Sequence, residues 1–246
     1  MILPLAWPRQ VSVQGYARTA GVLLLLSLLA GGLGEAYVPS KLIVSADAAA
    51  TARNITALHS LFRLGFASYL VEAVCDVALA LLFYVLLRPV DRTLALLAAF
   101  LGLVSTTLYA VAEAFYFAPS LILSGADYLK PFSPDQVNAL ALLSLKLFGR
   151  VAAIFMVFYG VASVIRGYLI FRSGYLPRLL GVLVALAGAG FIAQNFAVVL
   201  APTYASNVLL LPMVVAGVSL MLWLLVNGID MPKWEARRMA AATSLQ

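Results

Sequence analysis

The chain has 246 residues; 64% are hydrophobic and 11% charged, with 16 Lys and Arg against 10 Asp and Glu. A soluble domain carries about 25% charged residues, so this balance and a mean hydropathy of +1.02 exclude a soluble globule, a disordered chain and a disulfide-stapled secreted domain. One Cys (Cys75) and one His (His59) exclude an intrachain disulfide, a Cys/His zinc site and a bis-His haem.

What remains is an all-α polytopic membrane protein forming one transmembrane domain over 1–246. A bilayer-crossing helix needs about 20 mostly apolar residues. Six such runs occur, at 16–38, 62–87, 94–118, 137–165, 179–200 and 208–228. They are continuous and rich in Leu and Ala, not alternating, which argues against a β-barrel. The first follows Arg9 and Arg18 and is followed by small residues, in the manner of a signal peptide cleaved after Ala36. Pro4 and Pro8 suit an interfacial stretch better than the start of such a leader, so the run is expected to remain as a span.

Basic residues predict the orientation. Arg9, Arg18, Arg88, Arg92, Arg166, Arg172, Arg178, Lys233, Arg237 and Arg238 fall on one side; Lys41, Arg53, Arg63 and Lys130 fall on the other. Both termini are therefore expected in the cytoplasm. The basic balance follows from topology and anionic inner-leaflet lipid; membrane lipids are expected as partners and nucleic acid is not.

Between the first two runs, Ser45 is expected to cap a surface helix over 48–58, with Asp47 in its first turn. The connection Arg88-Pro89-Val90-Asp91-Arg92 is too short for anything but an antiparallel pair. The stretch 124–134 is turn-rich, and Ser133-Pro134-Asp135 reads as the start of the fourth helix. Gly181, Ala185 and Gly188 predict close helix packing. Trp7, Tyr16, Tyr37, Trp223 and Trp234 read as interfacial aromatics. Arg18-Thr19-Ala20-Gly21-Val22-Leu23 is similar to Arg178-Leu179-Leu180-Gly181-Val182-Leu183, but the offset fits no internal repeat of equal halves.

Several of these stretches carry a resemblance. They are 46–55 (Ala-Asp-Ala-Ala-Ala-Thr-Ala-Arg-Asn-Ile), Leu61-Phe62-Arg63-Leu64-Gly65-Phe66, 84–92 with Arg88-Pro89-Val90-Asp91-Arg92, Leu123-Ser124-Gly125-Ala126-Asp127-Tyr128-Leu129, and 167–178 ending Gly174-Tyr175-Leu176-Pro177-Arg178. Together they resemble a bacterial family of small multi-pass membrane proteins known only as a domain of unknown function. The resemblance implies a six- or seven-helix protein of a bacterial inner membrane and carries no activity. Members often have a histidine in the fourth helix; here that helix has Lys146 and Arg150 instead.

Ionisable residues inside spans are costly and mark functional sites. Five lie well within them: Glu72, Asp76, Glu113, Lys146 and Arg150. Unpaired at helix centres, each would cost about 2.5–3.5 kcal/mol, so they must pair, face water or carry a compensating proton. Glu72 and Asp76 are four apart, as are Lys146 and Arg150, so each pair shares a helix face. Glu113 shares a face with Thr106, Tyr109 and Tyr116. With Gln194 and Asn195 also in the outer half of the fifth span, and Glu35 ending the first span on that side, this predicts a charged pocket open to the outside, floored by Asp76. Lys146 and Arg150 are expected to hold an anionic or zwitterionic head of an amphiphilic, lipid-like ligand. Glu72, Asp76 and Glu113 would be its hydrogen-bond or proton partners, and Gln194 and Asn195 complete the candidate site.

Two other readings use the same residues. In one, a small proton-coupled carrier, Glu72 and Asp76 are proton sites. In the other, an accessory subunit of a larger complex, the charges close on each other as ion pairs that lock the helices. A divalent metal on the three acids is opposed by the two nearby cations, and no cofactor is expected, since no P-loop, dinucleotide fingerprint or HExxH motif occurs. The sequence names no reaction. His59 reads as a surface residue and Cys75 as a small buried apolar one.

Overall fold

The computed structural model describes residues 12–201, 203 and 211–243, and among them the chain is helical throughout. Helix α1 (Val13–Gly31) opens on Ser12, whose hydroxyl accepts from the Gly15 amide at 3.1 Å. It runs without a break into a π-helical turn (Gly32–Tyr37) and then α2 (Val38–Leu42). A short α3 (Ala48–Ala57) precedes the long α4 (His59–Leu87) and α5 (Arg92–Ile122). The remaining elements are α6 (Pro134–Ser173), α7 (Arg178–Leu200), α8 (Leu211–Val226) and α9 (Met231–Thr243).

The local punctuation is chemical. Asp47 and Asp91 cap α3 and α5 by accepting from the amides of Ala50 and Leu94 at 2.8 and 2.9 Å. The cap of α3 is thus Asp47 and not Ser45: a carboxylate at that position reaches the first turn. Ser133 and Gln136 form a reciprocal capping box at the start of α6, with Pro134 at the first position. Gly174 ends α6 in the left-handed region at φ +77°, where other residues are strained.

Five helical stretches are long and apolar enough to cross a membrane: Val13–Leu42, His59–Leu87, Arg92–Ile122, Pro134–Ser173 and Arg178–Val198. α8 and α9, bent by 100° at the break between them, make a sixth only if the pair is taken as one span. The first and fourth spans are longer at both ends than the sequence predicts, 13–42 and 134–173. Of the sixth predicted run, residues 208–210 lie outside the described residues, as do Trp7 and Arg9.

The six long helices close into a ring in which α1 packs on α4, α4 on α5, α5 on α6, α6 on α7, α7 on α8 and α8 back on α1. Large apolar side chains cover the outside: Leu29, Val74, Leu81, Phe100, Leu186 and Val226 are each more than half exposed. A surface of this kind has lipid as its solvent. α3 lies across one end of the ring, against α6, and α9 packs at the other. The Trp234 indole donates to the Leu86 carbonyl at 3.0 Å, and the Tyr175 hydroxyl donates to the same oxygen at 2.7 Å. Trp234 is therefore a buried anchor of α9, 2% exposed, and not an interfacial aromatic. The expected close approach of α7 is made with α6. A Cβ on Gly167 would lie 2.5 Å from the Ala185 nitrogen, and one on Gly188 would lie 2.5 Å from the Gly160 oxygen.

Candidate functional site

The site is built where α1, α4 and α5 meet. The π-helical turn of the first span sets its position. Pro39 has no N–H to give to residue 35, and Gly31, Gly32 and Gly34 weaken the regular helix around it. The chain responds with a wider turn, in which the Val38 amide reaches back to the Leu33 carbonyl. Single π turns of this kind recur at functional sites. Here the turn carries Glu35, and the helix continues beyond it to Leu42, so Glu35 lies within the span and does not end it.

Glu35 Oε1 and Glu72 Oε2 both lie 3.1 Å from the hydroxyl of Tyr109. The three side chains come from three helices. A phenol has one proton to donate, so it satisfies one carboxylate, and the second contact requires a donor of its own. Close packing maintains the arrangement. A Cβ on Gly31 would sit 3.2 Å from Glu72 Oε1, so the glycine leaves room for that carboxylate. The Tyr69 hydroxyl donates to the Gly34 carbonyl at 2.8 Å and ties α4 to the π turn. Around them is an aromatic wall: Tyr69 meets Tyr109 and Tyr116 with ring centroids 5.8 and 4.8 Å apart, Tyr109 meets Phe155 at 4.5 Å, and Phe62 stacks on Tyr116 at 4.9 Å.

Glu113 lies one turn beyond Tyr109 on the same face of α5, 1% exposed. Neither of its carboxyl oxygens has a hydrogen-bond partner among the described residues, and the Tyr116 hydroxyl is also unpartnered. Glu72 is within electrostatic reach of Glu35, Asp76 and Glu113, all of its own sign. Exposure is graded through the group: Glu35 is exposed, Glu72 and Asp76 are half-buried, and Glu113 is buried.

Asp76 is one turn from Glu72 toward the α9 end. Ser27 donates to it at 3.5 Å, a weak bond. The charge that compensates it is Arg166 of α6, within electrostatic reach and buried, its guanidinium 5.6 Å from the ring centres of both Phe83 and Tyr159. A cavity of about 10 Å³ lies between Asp76, Thr106, Tyr159 and Arg166, room for one water. Gly102 makes way for Arg166: a Cβ there would lie 2.7 Å from a guanidinium nitrogen.

The structure thus brings together Glu72, Asp76 and Glu113 of the residues expected at the site. It does not bring Lys146 and Arg150 to them. Both lie on the outward side of α6 with the exposed Leu143, Leu147 and Ile154, and among the described residues neither forms an ion pair. Gln194 is buried on α7, while the Asn195 amide donates to the Phe191 carbonyl of its own helix. Tyr109 is not among the residues that the sequence places at the site, and Glu35 and Arg166 are expected only at span ends. The signals that could have found them are the Pro39 and glycine pattern around Glu35, and the seven-residue spacing of Tyr159 and Arg166, which puts both on one helix face. Among the described residues no three His, Cys, Asp or Glu side chains are arranged to hold a metal ion.

A ring of membrane-length helices around a buried cluster of acids and tyrosines defines a multi-pass helical membrane protein. Within that class the chain belongs to the family described as "Domain of unknown function (DUF4386)", which matches residues 19–228. An uncharacterized protein of Archaeoglobus fulgidus is similar over 119 residues at 25% identity, a stretch covering 48% of this chain and 57% of that protein. The chain therefore spans little more than half the length of that relative. No solved structure matches.

Proposed function

We propose that this protein binds an amphiphile whose head carries a positive charge, a zwitterionic or amine head group, at Glu35, Glu72 and Tyr109. The observation that carries this reading is the convergence of two carboxylates from different helices on one phenol, with Lys146 and Arg150 turned away. Two carboxylate oxygens each 3.1 Å from one phenol oxygen are no more than about 6 Å apart, where like charges repel by about 3 kcal/mol at an effective dielectric constant of about 20. A ligand cation seated between them turns that repulsion into attraction, and a head group with an N–H also gives the second carboxylate its donor. The packed rings of Tyr69, Tyr116 and Phe155 make the surroundings of Tyr109 aromatic, which suits an alkylated ammonium. Glu35 is exposed on a helix whose outer side carries Leu25, Leu26 and Leu29, so a head group can enter sideways from lipid with its chain left outside. Lys146 and Arg150, part of the expected ligand site, face outward, where their long stems let the charged heads reach toward the head groups.

The test uses the purified protein and dodecyltrimethylammonium, with tetramethylammonium and dodecyl sulfate as controls. The long-chain cation should bind and stabilise the protein, and Glu72→Gln should weaken its binding at least tenfold. Equal binding of dodecyl sulfate at the same site, or no effect of Glu72→Gln, refutes the reading.

A second reading, a proton-coupled carrier, is supported by the continuation of the acids through Asp76 to Arg166, deeper toward the α9 end. In proteoliposomes it requires proton movement that depends on both Glu72 and Asp76.

A further inference from the structure

The end of the ring crossed by α3 holds a cavity of about 730 Å³, within the range of roughly 300–1,000 Å³ typical of small-molecule sites. It is separate from the acid cluster, shares no lining residue with it, and has the opposite charge. One wall is a single face of α3, where Ala49, Ala52, Arg53 and Thr56 recur at intervals of three or four. The alanines reach no further than Cβ, and that is what leaves the space open. The opposite wall is the turn-rich connection between α5 and α6, with Leu123, Leu129 and Phe132. The charged side chains lining the cavity are Arg53 and Lys130, and no acid lines it. Arg53 has no ion-pair partner among the described residues. Lys130 is held by Asp127 at 2.7 Å, with both side chains at least 75% exposed. A pair in that setting is worth about 0–1 kcal/mol and yields readily to a better anion.

We propose that this groove binds a membrane lipid through its phosphate, with Arg53 and Lys130 on the phosphate oxygens and the first methylenes of the chain along the α3 alanines. Three features select this occupant. The two cations without a lining acid select an anion, and Arg and Lys match phosphate oxygens. The apolar wall selects an attached hydrocarbon. The position selects the source: α2 ends at Leu42, α4 begins at His59, α5 ends at Ile122 and α6 begins at Pro134, so the groove lies where spans emerge. That is the level of lipid head groups, so a phosphate and its chain can reach the groove without leaving the bilayer.

The experiment titrates the full chain in neutral detergent with dodecyl phosphate, with inorganic phosphate and dodecyltrimethylammonium alongside, reading binding by native mass spectrometry and thermal shift. Dodecyl phosphate should bind and inorganic phosphate should not. The double variant Arg53→Gln, Lys130→Gln should weaken dodecyl phosphate at least tenfold and leave the long-chain cation unaffected. Ala57→Trp, at an exposed position of the same wall, should block the phosphate amphiphile without touching either cation. Glu72→Gln should leave dodecyl phosphate binding intact, which separates this site from the acid cluster: one reading can fail while the other holds. Unchanged dodecyl phosphate binding in both groove variants overturns the proposal. So does binding of inorganic phosphate as tight as that of the amphiphile, or loss of dodecyl phosphate in Glu72→Gln.

Discussion

Replacing Glu72 by Gln should make this protein more stable, against the usual expectation for removing a buried hydrogen-bonded group. The side chain keeps its shape, and its amide N–H can donate to the Tyr109 oxygen, which frees the phenol proton for Glu35. Both 3.1 Å contacts then have a donor. With both carboxyls ionised, the substitution also removes their repulsion, about 3 kcal/mol at an effective dielectric constant of about 20. A net gain of about 1–3 kcal/mol follows once imperfect amide geometry is allowed for. In a chain of this size each kcal/mol moves Tm by about 2–4 °C, so a rise of several degrees is expected. Tyr109→Phe should do the opposite, losing a charge-assisted hydrogen bond of about 1.5–3 kcal/mol. The chain supplies its own probe: Cys75 is the single cysteine, 4% exposed, and a thiol-reactive dye reports the temperature at which it is uncovered. The same Glu72→Gln protein should bind the long-chain cation poorly, since a site that gains stability when its charge is removed is one kept strained for binding. A Tm lowered by Glu72→Gln as much as by Tyr109→Phe would refute the reasoning, because the carboxylate would then be satisfied as it stands.

Three further outcomes are expected. Arg166→Met leaves Asp76 without its compensating charge and should cost about 1–3 kcal/mol, while Asp76→Asn with Arg166→Met should recover most of it in the same thermal assay; simple addition of the two losses would show that they are not partners. Gly167→Ala places a Cβ 2.5 Å from the Ala185 nitrogen and 2.6 Å from the Gly181 oxygen, backbone atoms that cannot turn aside. It should cost about 1–3 kcal/mol. Gly149→Ala on the same helix meets open space and should be neutral or stabilising by up to about 1 kcal/mol; equal effects would refute the close approach of α6 and α7. Finally, cysteines at Asn54 and Ala126 in a Cys75→Ala background should react with an impermeant reagent in intact cells and one at Thr243 should not; the reverse pattern overturns the orientation inferred from the basic residues.

The spans were legible in the sequence because a bilayer imposes a length and a hydropathy that composition cannot disguise. The turn at 88–92 and the Ser133-Pro134-Asp135 start were legible because capping chemistry is local. The ends of two spans were not. Glu35 and Arg166 read as boundaries because a charge usually lies outside the hydrocarbon, yet each lies seven residues inside its helical run, where tertiary partners receive it. The orientation of the charged faces was less legible still. In a soluble helix the polar side marks the solvent, but lipid is as apolar as the core, so a membrane helix carries almost no periodic signal of which side is inside. The spacing of Lys146 and Arg150 shows that they share a face. Only packing shows that this is the outer one.

That distribution has a consequence for how the interior can work. Acids of the second and third spans are half-buried or buried, with the exposed Glu35 of the first span at their edge, while cations of the fourth face outward, except Arg166. Two of these acids have a compensating group, Glu72 in the Tyr109 proton and Asp76 in the Arg166 guanidinium, while Glu113 has no partner among the described residues; on the proposed reading the interior would suit a positive charge. Both compensating groups occupy positions that an entering cation would claim. A cation arriving at Glu35 and Glu72 displaces the phenol proton from its shared role at little cost, because that contact was already short of a donor. A cation reaching Asp76 must compete with an arginine held between two aromatic rings across a cavity of about 10 Å³. If a cation binds as proposed, binding at the π turn should be reversible and passage beyond Asp76 should require Arg166 to move.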